Sequence, residues 1–167
     1  FNAGASKYYK GGIVAYSNEV KENILGVKRE SLIKYGAVSQ EVASEMSKGA
    51  MKQLNADYAI ATTGIAGPSG GSEEKPTGTV WISVCSATKI ITEKYYFPTT
   101  RDNFIERTSN QALLMLMRLI KEENDKLKNI SKNIQNENFL TNSNFNINTN
   151  NNTFFNNADS SATIETV

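Results

Sequence analysis

The sequence contains no histidine and only one cysteine, Cys85. Without histidine, the chain cannot form a Ser-His-Asp or Cys-His triad from its own residues, and it cannot supply histidine ligands to zinc. Any base that acts near neutral pH must therefore be a lysine, a tyrosine, a carboxylate or the α-amino group. Because a single cysteine cannot form an internal disulfide bond, we expect a reducing compartment, the cytoplasm.

Long apolar runs and a strong net charge are also missing. No apolar run approaches the roughly 20 residues that cross a bilayer, and the N-terminus has no basic-then-apolar signal pattern. The net charge of +1 gives no overall field that attracts nucleic acid or an anionic membrane, so we expect neither as a partner. The sequence begins at Phe1 rather than at methionine, which predicts a processed chain or a fragment.

Glycine and proline are confined to the first part of the chain. All eleven glycines lie at or before Gly78, and the last proline is Pro98. Beyond about residue 124 an asparagine-rich composition begins, which cannot bury enough apolar surface to offset its chain entropy. We predict a domain over residues 1–124 and a disordered, low-complexity tail over residues 125–167. An inert tail is favoured over one that self-associates.

The first 124 residues alternate between strand and helix patterns, which predicts a three-layer α/β/α domain with a mixed sheet. Helices are predicted over residues 19–25, 29–35, from Ser39 onward, and 101–124, and strands over 12–16, 58–62, 79–86 and 89–97. The number of elements is short by at least one strand for such a fold. In the third helix Val42, Met46, Ala50 and Leu54 form an apolar stripe that should face the sheet. In the last helix the apolar positions Leu113, Leu114, Met117 and Ile120 follow helical spacing.

A glycine-rich loop separates two of the predicted strands. Five glycines and two prolines lie between Gly64 and Gly78. Since glycine permits positive φ and close approach, N–H groups of such a loop can converge on an anion; a rigid turn without a ligand is the alternative. The spacing matches neither the Walker nor the dinucleotide fingerprint, which argues against a nucleoside triphosphate. Glu73, Glu74 and Lys75 should form a solvated loop face, and Cys85 should lie in the core.

Several phrases occur in an order typical of one family. They are GGIVAYSNEVK from Gly11, Leu25-Gly26-Val27, GAVS from Gly36 and TTGIAGP from Thr62. Together they resemble the C-terminal domain of the competence/damage-inducible protein CinA, which is also found alone as nicotinamide-mononucleotide amidohydrolase, over about residues 2–124. The resemblance implies hydrolysis of the carboxamide of a pyridine mononucleotide, nicotinamide mononucleotide, to nicotinic acid mononucleotide and ammonia, with no metal or organic cofactor.

One part of the family pattern is missing. The attacking serine of the family lies in a Glu-Ser-Cys-Thr-Gly-Gly motif, which would lie upstream of Phe1 and is not in this sequence. The resemblance therefore implies a domain without its first strand and helix, inactive as it stands. The alternative is a non-catalytic remnant that binds a nucleotide or a partner. A bare sheet edge also favours self-association, so the chain is expected to be either poorly soluble or a homo-oligomer.

The resemblance also assigns candidate site residues. Tyr16 and Lys21 match its Tyr-Ser-Asn-x-x-Lys motif, in which a desolvated lysine would accept a proton from the serine while the tyrosine orients it. Spacing alone would instead make Lys21 a solvated helix residue and Tyr16 a half-buried strand residue. The arginines could bind the phosphate of the mononucleotide, although ordinary surface charge is the alternative. The N–H groups of the glycine-rich loop could bind either that phosphate or the oxyanion formed on the amide. The substrate-binding candidates are Asn18, Thr63, Gly64, Gly67, Gly78, Arg101 and Arg107.

Overall fold

The structure, a computed structural model, describes residues 3–152, with side chains described to residue 137. A short 3-10 helix, Ala5–Lys7, comes first. The helices are α1 (Asn18–Asn23), α2 (Arg29–Tyr35), α3 (Gln40–Gln53) and α4 (Arg101–Asn152), and the strands are β1 (Tyr58–Gly64), β2 (Thr79–Ser86) and β3 (Ile90–Tyr96). A first compact unit ends at Lys121 and a second begins at Glu122.

Hydroxyl caps and glycines set the helix ends in the first unit. The Ser39 hydroxyl accepts a hydrogen bond from the backbone of Val42 at 3.4 Å, as expected for the cap of α3. Helix α1 is capped by Ser17, whose hydroxyl accepts from the Val20 backbone at 3.2 Å. Asn18, which follows this cap, is the first residue of the helix. Helix α2 ends at Gly36, where φ is +76°.

The three strands form one antiparallel sheet in the order β1-β2-β3. Residues of β2 point alternately to the two faces of this sheet. Val80, Ile82 and Val84 join a buried cluster with residues of α4 on one face. On the other face Ser83 contacts α3, because its hydroxyl lies 2.8 Å from that of Ser47. Helices therefore cover both faces, which confirms the three-layer α/β/α architecture, although the sheet of the described residues is antiparallel rather than mixed.

Helix α3 is attached to the sheet by hydroxyl groups as well as by apolar packing. Besides the Ser47–Ser83 contact, the Thr92 hydroxyl donates to that of Ser83 at 2.9 Å and lies 2.8 Å from the hydroxyl of Ser44. The predicted apolar stripe of α3 is buried in part. Its members Val42 and Met46 pack in a cluster with Leu25, Val27, Leu32 and Ala61, so the stripe faces the α1–α2 region and β1.

In α4 the apolar positions that follow helical spacing are mostly not the buried ones. The buried positions are Phe104, Thr108, Ala112, Met115 and Leu119, whereas Leu113, Leu114 and Met117 are exposed. The helix carries apolar residues on more than one side, so their spacing does not identify the side that meets the sheet. The buried side includes a threonine and an alanine, which a search for large apolar residues passes over.

Two further sequence predictions differ from the structure. Residues 12–16, predicted as a strand, belong to no strand in the structure. The last helix does not end near residue 124 but continues to Asn152, so residues 125–152 of the predicted disordered tail lie in α4. Lysine, which favours helices, recurs at positions 126, 128 and 132, in keeping with the continuation. Residues 153–167 of the predicted tail lie outside the described residues.

Candidate functional site

Lys21 is the most unusual charged residue of the first unit, because it is only 6% exposed. It lies on α1, and its amine donates to the carbonyl oxygens of Ala15 at 2.9 Å and Tyr16 at 3.2 Å. Burial lowers the pKa of this amine below its ordinary value of 10.5. The chain enters α1 at Ser17, and Lys21 lies one helical turn further on. Its side chain therefore reaches back to the carbonyls of Ala15 and Tyr16, which precede the helix. Lys21 is thus not a solvated helix residue.

The structure brings the backbone of Tyr16, and not its phenol, to the Lys21 amine. The carbonyl of Tyr16 accepts from the amine, whereas the Tyr16 side chain is 92% exposed. This also differs from the half-buried strand aromatic that spacing alone predicts. Asn18 is exposed at the start of the same helix. The two residues of the catalytic motif are neighbours, but in this structure only the amine is desolvated.

A cavity of about 440 Å³ lies between residues 12–16 and residues 58–62. Its two walls are the extended segment from Gly12 to Tyr16 and the first five residues of β1. Its other lining residues are apolar: Leu25, Met46, Ala50, Leu54 and Ala56. We call this cavity the edge groove. No charged residue lines it.

The glycine-rich loop is held by hydrogen bonds of its own, and its glycines are required for close packing. A Cβ on Gly64 would lie 2.8 Å from the Thr79 carbonyl oxygen, and a Cβ on Gly78 would lie 2.7 Å from that of Phe97. The N–H of Gly78, at φ +97°, donates to the Ile65 carbonyl at 2.7 Å. These two glycines therefore have a structural task, and the Gly78 N–H is already used within the loop.

Thr63 and Arg101 also make contacts with the backbone. The buried Thr63 hydroxyl donates to the Ala37 carbonyl at 2.7 Å, so its proton is already engaged. Arg101, the first residue of α4, donates through Nη1 to the carbonyl of Gly67 at 3.0 Å. The structure therefore joins Arg101 to the glycine-rich loop at Gly67, whereas Arg107 lies further along α4 and is exposed.

The environment of Lys75 differs from the solvated loop face that the sequence predicts. Its amine donates to the Tyr35 carbonyl at 2.6 Å, and the side chain is half-buried. This contact connects the glycine-rich loop to the end of α2, so the prediction of a solvated lysine is wrong. No periodicity signals such a contact, because the two residues lie 40 positions apart. Glu73 and Glu74 are exposed, and Cys85 is buried in β2, as predicted.

Gly49 is a second residue that the sequence analysis did not single out. It lies within α3, and a Cβ placed there would come within 1.8 Å of the Leu25 carbonyl oxygen. Helix α3 therefore approaches the backbone just after α1, the helix that carries Lys21. A lone glycine inside a helical pattern is the sequence signal for such a close approach.

The buried amine predicts a specific dependence of stability on pH. Between the lowered pKa of Lys21 and 10.5, the folded protein binds fewer protons than the unfolded chain, so the free energy of unfolding rises with pH. Burial raises the pKa of the Cys85 thiol and of the Tyr95 hydroxyl, and these groups act in the opposite direction at alkaline pH. Comparison of the parent with Lys21→Met cancels their contributions.

We expect the stability of the parent, relative to Lys21→Met, to increase as the pH rises towards 10.5. Urea denaturation of both proteins at a series of pH values measures this difference. Two stability curves that run parallel over the whole range would show that the amine is not desolvated.

No group of three or more histidine, cysteine or acidic side chains among the described residues is arranged to hold a metal ion. Within the same residues, no helix is both long enough and apolar enough to cross a membrane.

Comparison with known proteins gives one consistent family. The CinA C-terminal domain family matches residues 2–120. A CinA-like protein of Leptospira biflexa is 45% identical over 120 residues, which cover 71% of this chain and 29% of the relative. One of Fervidobacterium nodosum is 49% identical over 115 residues, covering 69% and 28%. The chain thus spans less than a third of the length of these curated relatives.

Solved structures agree with this match. The competence/damage inducible protein CihA from Agrobacterium tumefaciens superposes with a TM-score of 0.69 and 38% identity, covering 71% of this chain and 73% of that one. A CinA superfamily protein from Escherichia coli gives a TM-score of 0.67 and 35% identity, covering 70% and 68%.

Proposed function

Because this chain belongs to the CinA C-terminal domain family, we propose that it is part of an amide hydrolase. Joined to a serine-bearing segment, it would cleave the carboxamide of nicotinamide mononucleotide to nicotinic acid mononucleotide and ammonia. The pyridine mononucleotide is its small-molecule partner, and the cytoplasm is the proposed location. The hydrolase domain comprises residues 1–124, in keeping with the family match over residues 2–120 and the first compact unit ending at Lys121. We propose that residues 125–167 lie outside this hydrolase domain.

The observation that carries the proposal is the geometry of the Lys21 amine. A neutral amine has two N–H donors and one lone pair, whereas an ammonium has three donors and no lone pair. The carbonyls of Ala15 and Tyr16 accept two hydrogen bonds from this nitrogen. These two carbonyls pair with both N–H groups of the neutral amine, so the lone pair of the nitrogen is left to accept a proton. Desolvation favours that neutral form.

A lone pair held in this way suits a general base. It takes the proton from the serine hydroxyl as the serine oxygen attacks the amide carbon, and it returns the proton to the departing nitrogen, which leaves as ammonia. Water then hydrolyses the acyl intermediate by the same proton route. The chain uses no histidine for this, since it contains none.

Arg101 and the glycine-rich loop are proposed to bind the substrate. A guanidinium has five N–H donors, and one of those on Arg101 is used by the Gly67 carbonyl at 3.0 Å. The remaining donors are available to a phosphate, and the contact with Gly67 orients them. Gly64, Gly67 and Gly78 shape the loop, while Thr63, Asn18 and Arg107 remain candidates for contacts with the mononucleotide.

Ammonia release from nicotinamide mononucleotide tests the proposal. We expect the chain alone to release ammonia at the background rate, because it lacks the attacking serine motif. We expect clear turnover after fusion to a segment that carries the Glu-Ser-Cys-Thr-Gly-Gly motif of the family. Turnover by the unfused chain would mean that one of its own hydroxyls is the nucleophile.

The rival proposal is a remnant that binds nucleotides without catalysis. The exposed phenol of Tyr16 and the engaged hydroxyl of Thr63 favour it, because these groups do not converge on one cleft in the structure. A remnant would bind the mononucleotide saturably and release no ammonia, even after the fusion. Calorimetry and the ammonia assay on the same fused protein distinguish the two proposals.

A further inference from the structure

We propose that Glu45 of α3 is a positioning residue for the Lys21 amine. Its carboxylate fixes the connection between α1 and α2, which directly follows the helix that carries Lys21. The importance of Lys21 for hydrolysis rests on the proposed function. The link between Glu45 and Lys21 stands on hydrogen bonds and packing, whether or not the fused chain hydrolyses an amide.

The carboxylate of Glu45 holds the start of α2. Its Oε2 accepts from the backbone N–H of Lys28 at 2.8 Å, and its Oε1 accepts from the Ser31 hydroxyl at 2.8 Å. Each oxygen of the carboxylate therefore has a donor. Hydrogen bonds to a carboxylate are roughly twice as strong as those between neutral groups, so this contact is a firm attachment of α3 to α2.

Helix α2 needs an outside group because it has no capping box of its own. In a capping box, Ser or Thr precedes the helix, and a Glu or Gln three residues later accepts from the N–H of that first residue. Before α2 this position is Lys28, whose side chain caps nothing, and the later position is Ser31. Glu45 supplies from α3 the carboxylate that α2 lacks, and no local pattern predicts it, since it lies 17 positions from Lys28.

The connection that Glu45 holds also ends α1. The N–H of Val27 donates to the Lys21 carbonyl at 3.0 Å, and the next N–H along the chain is the one that Glu45 accepts. The Val27 side chain is buried in a cluster with Val42 and Met46 of α3. The backbone of Lys21 is thus joined to α3 through two consecutive residues of the connection.

Helix α3 approaches this connection at two points that lie one helical turn apart. Glu45 contacts Lys28, and a Cβ on Gly49 would lie 1.8 Å from the Leu25 carbonyl oxygen. Positions four residues apart lie on the same side of a helix. Gly49 permits the close approach and Glu45 supplies the attraction, so one side of α3 determines where the connection lies.

Helix α1 is too short to hold Lys21 in place by itself. It has six residues, whereas isolated helices shorter than about 12–15 residues are marginal in water. Its position therefore depends on the Ser17 cap at its start and on the connection at its end. The Lys21 amine reaches the carbonyls of Ala15 and Tyr16, which line the edge groove. A shift of α1 changes both these hydrogen bonds and the desolvation of the amine.

The pKa of the Lys21 amine tests the inference without an enzyme assay. Carbon-13 NMR titration of the full chain, with lysine labelled at Cε, measures this pKa, and Lys21→Met identifies the signal. Glu45→Ala removes both hydrogen bonds, so the end of α1 is released and water reaches the amine. We expect the pKa of Lys21 to rise towards its ordinary value of 10.5, because burial is what lowers it.

Glu45→Gln separates hydrogen bonding from charge. The amide oxygen accepts from the Lys28 N–H and the amide NH2 donates to the Ser31 hydroxyl, so both contacts remain. We expect the pKa of Lys21 to stay at the parent value. If Glu45 acted through its negative charge, Glu45→Gln would lower the pKa of the amine, which is the opposite of the change expected in Glu45→Ala.

Kinetics of the chain fused to the serine-motif segment gives a second measurement. Glu45→Ala should lower kcat for ammonia release by about 10- to 100-fold, since a misplacement of about 1 Å can cost about 10²-fold. The rising limb of the kcat–pH profile should move to higher pH, because the base must first lose its proton. A lost cap on α2 alone would lower stability and leave this profile in place. Glu41→Ala, one turn earlier on α3, is the matched control and should change neither.

Ser31→Ala is the second variant, for the case in which Glu45→Ala does not fold. It removes one of the two donors to the Glu45 carboxylate, so it should raise the pKa of Lys21 and lower kcat by smaller amounts. In that case an unchanged pKa of Lys21 in Ser31→Ala overturns the positioning role.

The outcomes separate the positioning role from the hydrolase assignment. A raised pKa of Lys21 in Glu45→Ala, without ammonia release by the fused parent, supports the positioning role and overturns the hydrolase. Ammonia release by the fused parent, with the pKa and the rate both unchanged in folded Glu45→Ala, overturns the positioning role and leaves the hydrolase standing. A lowered pKa of Lys21 in Glu45→Gln also overturns the positioning role, because charge is then the link.

Discussion

Lys21→Met lowers ammonia release from nicotinamide mononucleotide by about 10²–10⁴-fold in the chain fused to its serine-motif segment, as expected for the loss of a general base. Methionine retains an apolar side chain of similar length in this buried position but has no nitrogen. The loss should lie mainly in kcat, because the amine is proposed to move a proton rather than to bind the substrate. Steady-state kinetics with an ammonia assay measures it.

Two further variants show whether basicity or charge matters. Lys21→Arg keeps donors for the carbonyls of Ala15 and Tyr16 but remains protonated, so it should be nearly as inactive as Lys21→Met. Lys52→Met removes an exposed lysine from α3 and should leave the rate unchanged. A Lys21→Met rate within about tenfold of the parent would contradict the assignment of the base. Substantial activity in Lys21→Arg would show that Lys21 acts through its charge.

The central part of the fold follows from local sequence patterns. Helix α2 and strand β2 have the predicted bounds, Arg29–Tyr35 and Thr79–Ser86, and β1 and β3 differ from prediction only at their ends. Caps, glycines and alternating apolar residues are contained within each of these segments. Such signals do not depend on what the segment later contacts, which explains why they are sufficient here.

Where the prediction differs from the structure, the conformation or burial of a segment depends on which other segments of the chain it contacts. Residues 12–16 carry the alternation of a strand, but a strand also needs a hydrogen-bonded neighbour, and among the described residues no strand pairs with them. The buried side of α4 depends on which residues β2 presents to it. The spacing of apolar residues in α4 did not show that Phe104, Thr108 and Ala112 lie on the side of the helix that is buried.

In the candidate site, too, local motifs were predictable from the sequence, whereas contacts between distant segments were not. The motif resemblance selected Lys21, and burial with two carbonyl contacts supports its proposed role. The contacts of Thr63 with Ala37 and of Lys75 with Tyr35 join residues 26 and 40 positions apart. No spacing rule reports contacts of that kind, since they follow from how β1 and the glycine-rich loop pack against the residues at the end of α2.

Gly49→Ala should lower the free energy of unfolding by about 2–3 kcal/mol, as overpacked sites typically do. Helix propensity predicts the reverse, because alanine is favoured over glycine inside a helix by about 1 kcal/mol. The added methyl group would lie 1.8 Å from the Leu25 carbonyl oxygen and 2.7 Å from its carbon, and a backbone neighbour cannot rotate away as a side chain can. Urea denaturation followed by circular dichroism measures the change.

The control for Gly49→Ala is Lys48→Ala, which changes the adjacent, exposed residue of α3 and should alter stability by no more than about 0.5 kcal/mol. Because Leu25 follows α1, relief of the clash must displace the end of the helix that carries Lys21. In the fused enzyme, Gly49→Ala should therefore reduce ammonia release at temperatures where the protein is still fully folded, whereas Lys48→Ala should not. A Gly49→Ala protein more stable than the parent would show that helix propensity prevails and that α3 does not approach Leu25 so closely.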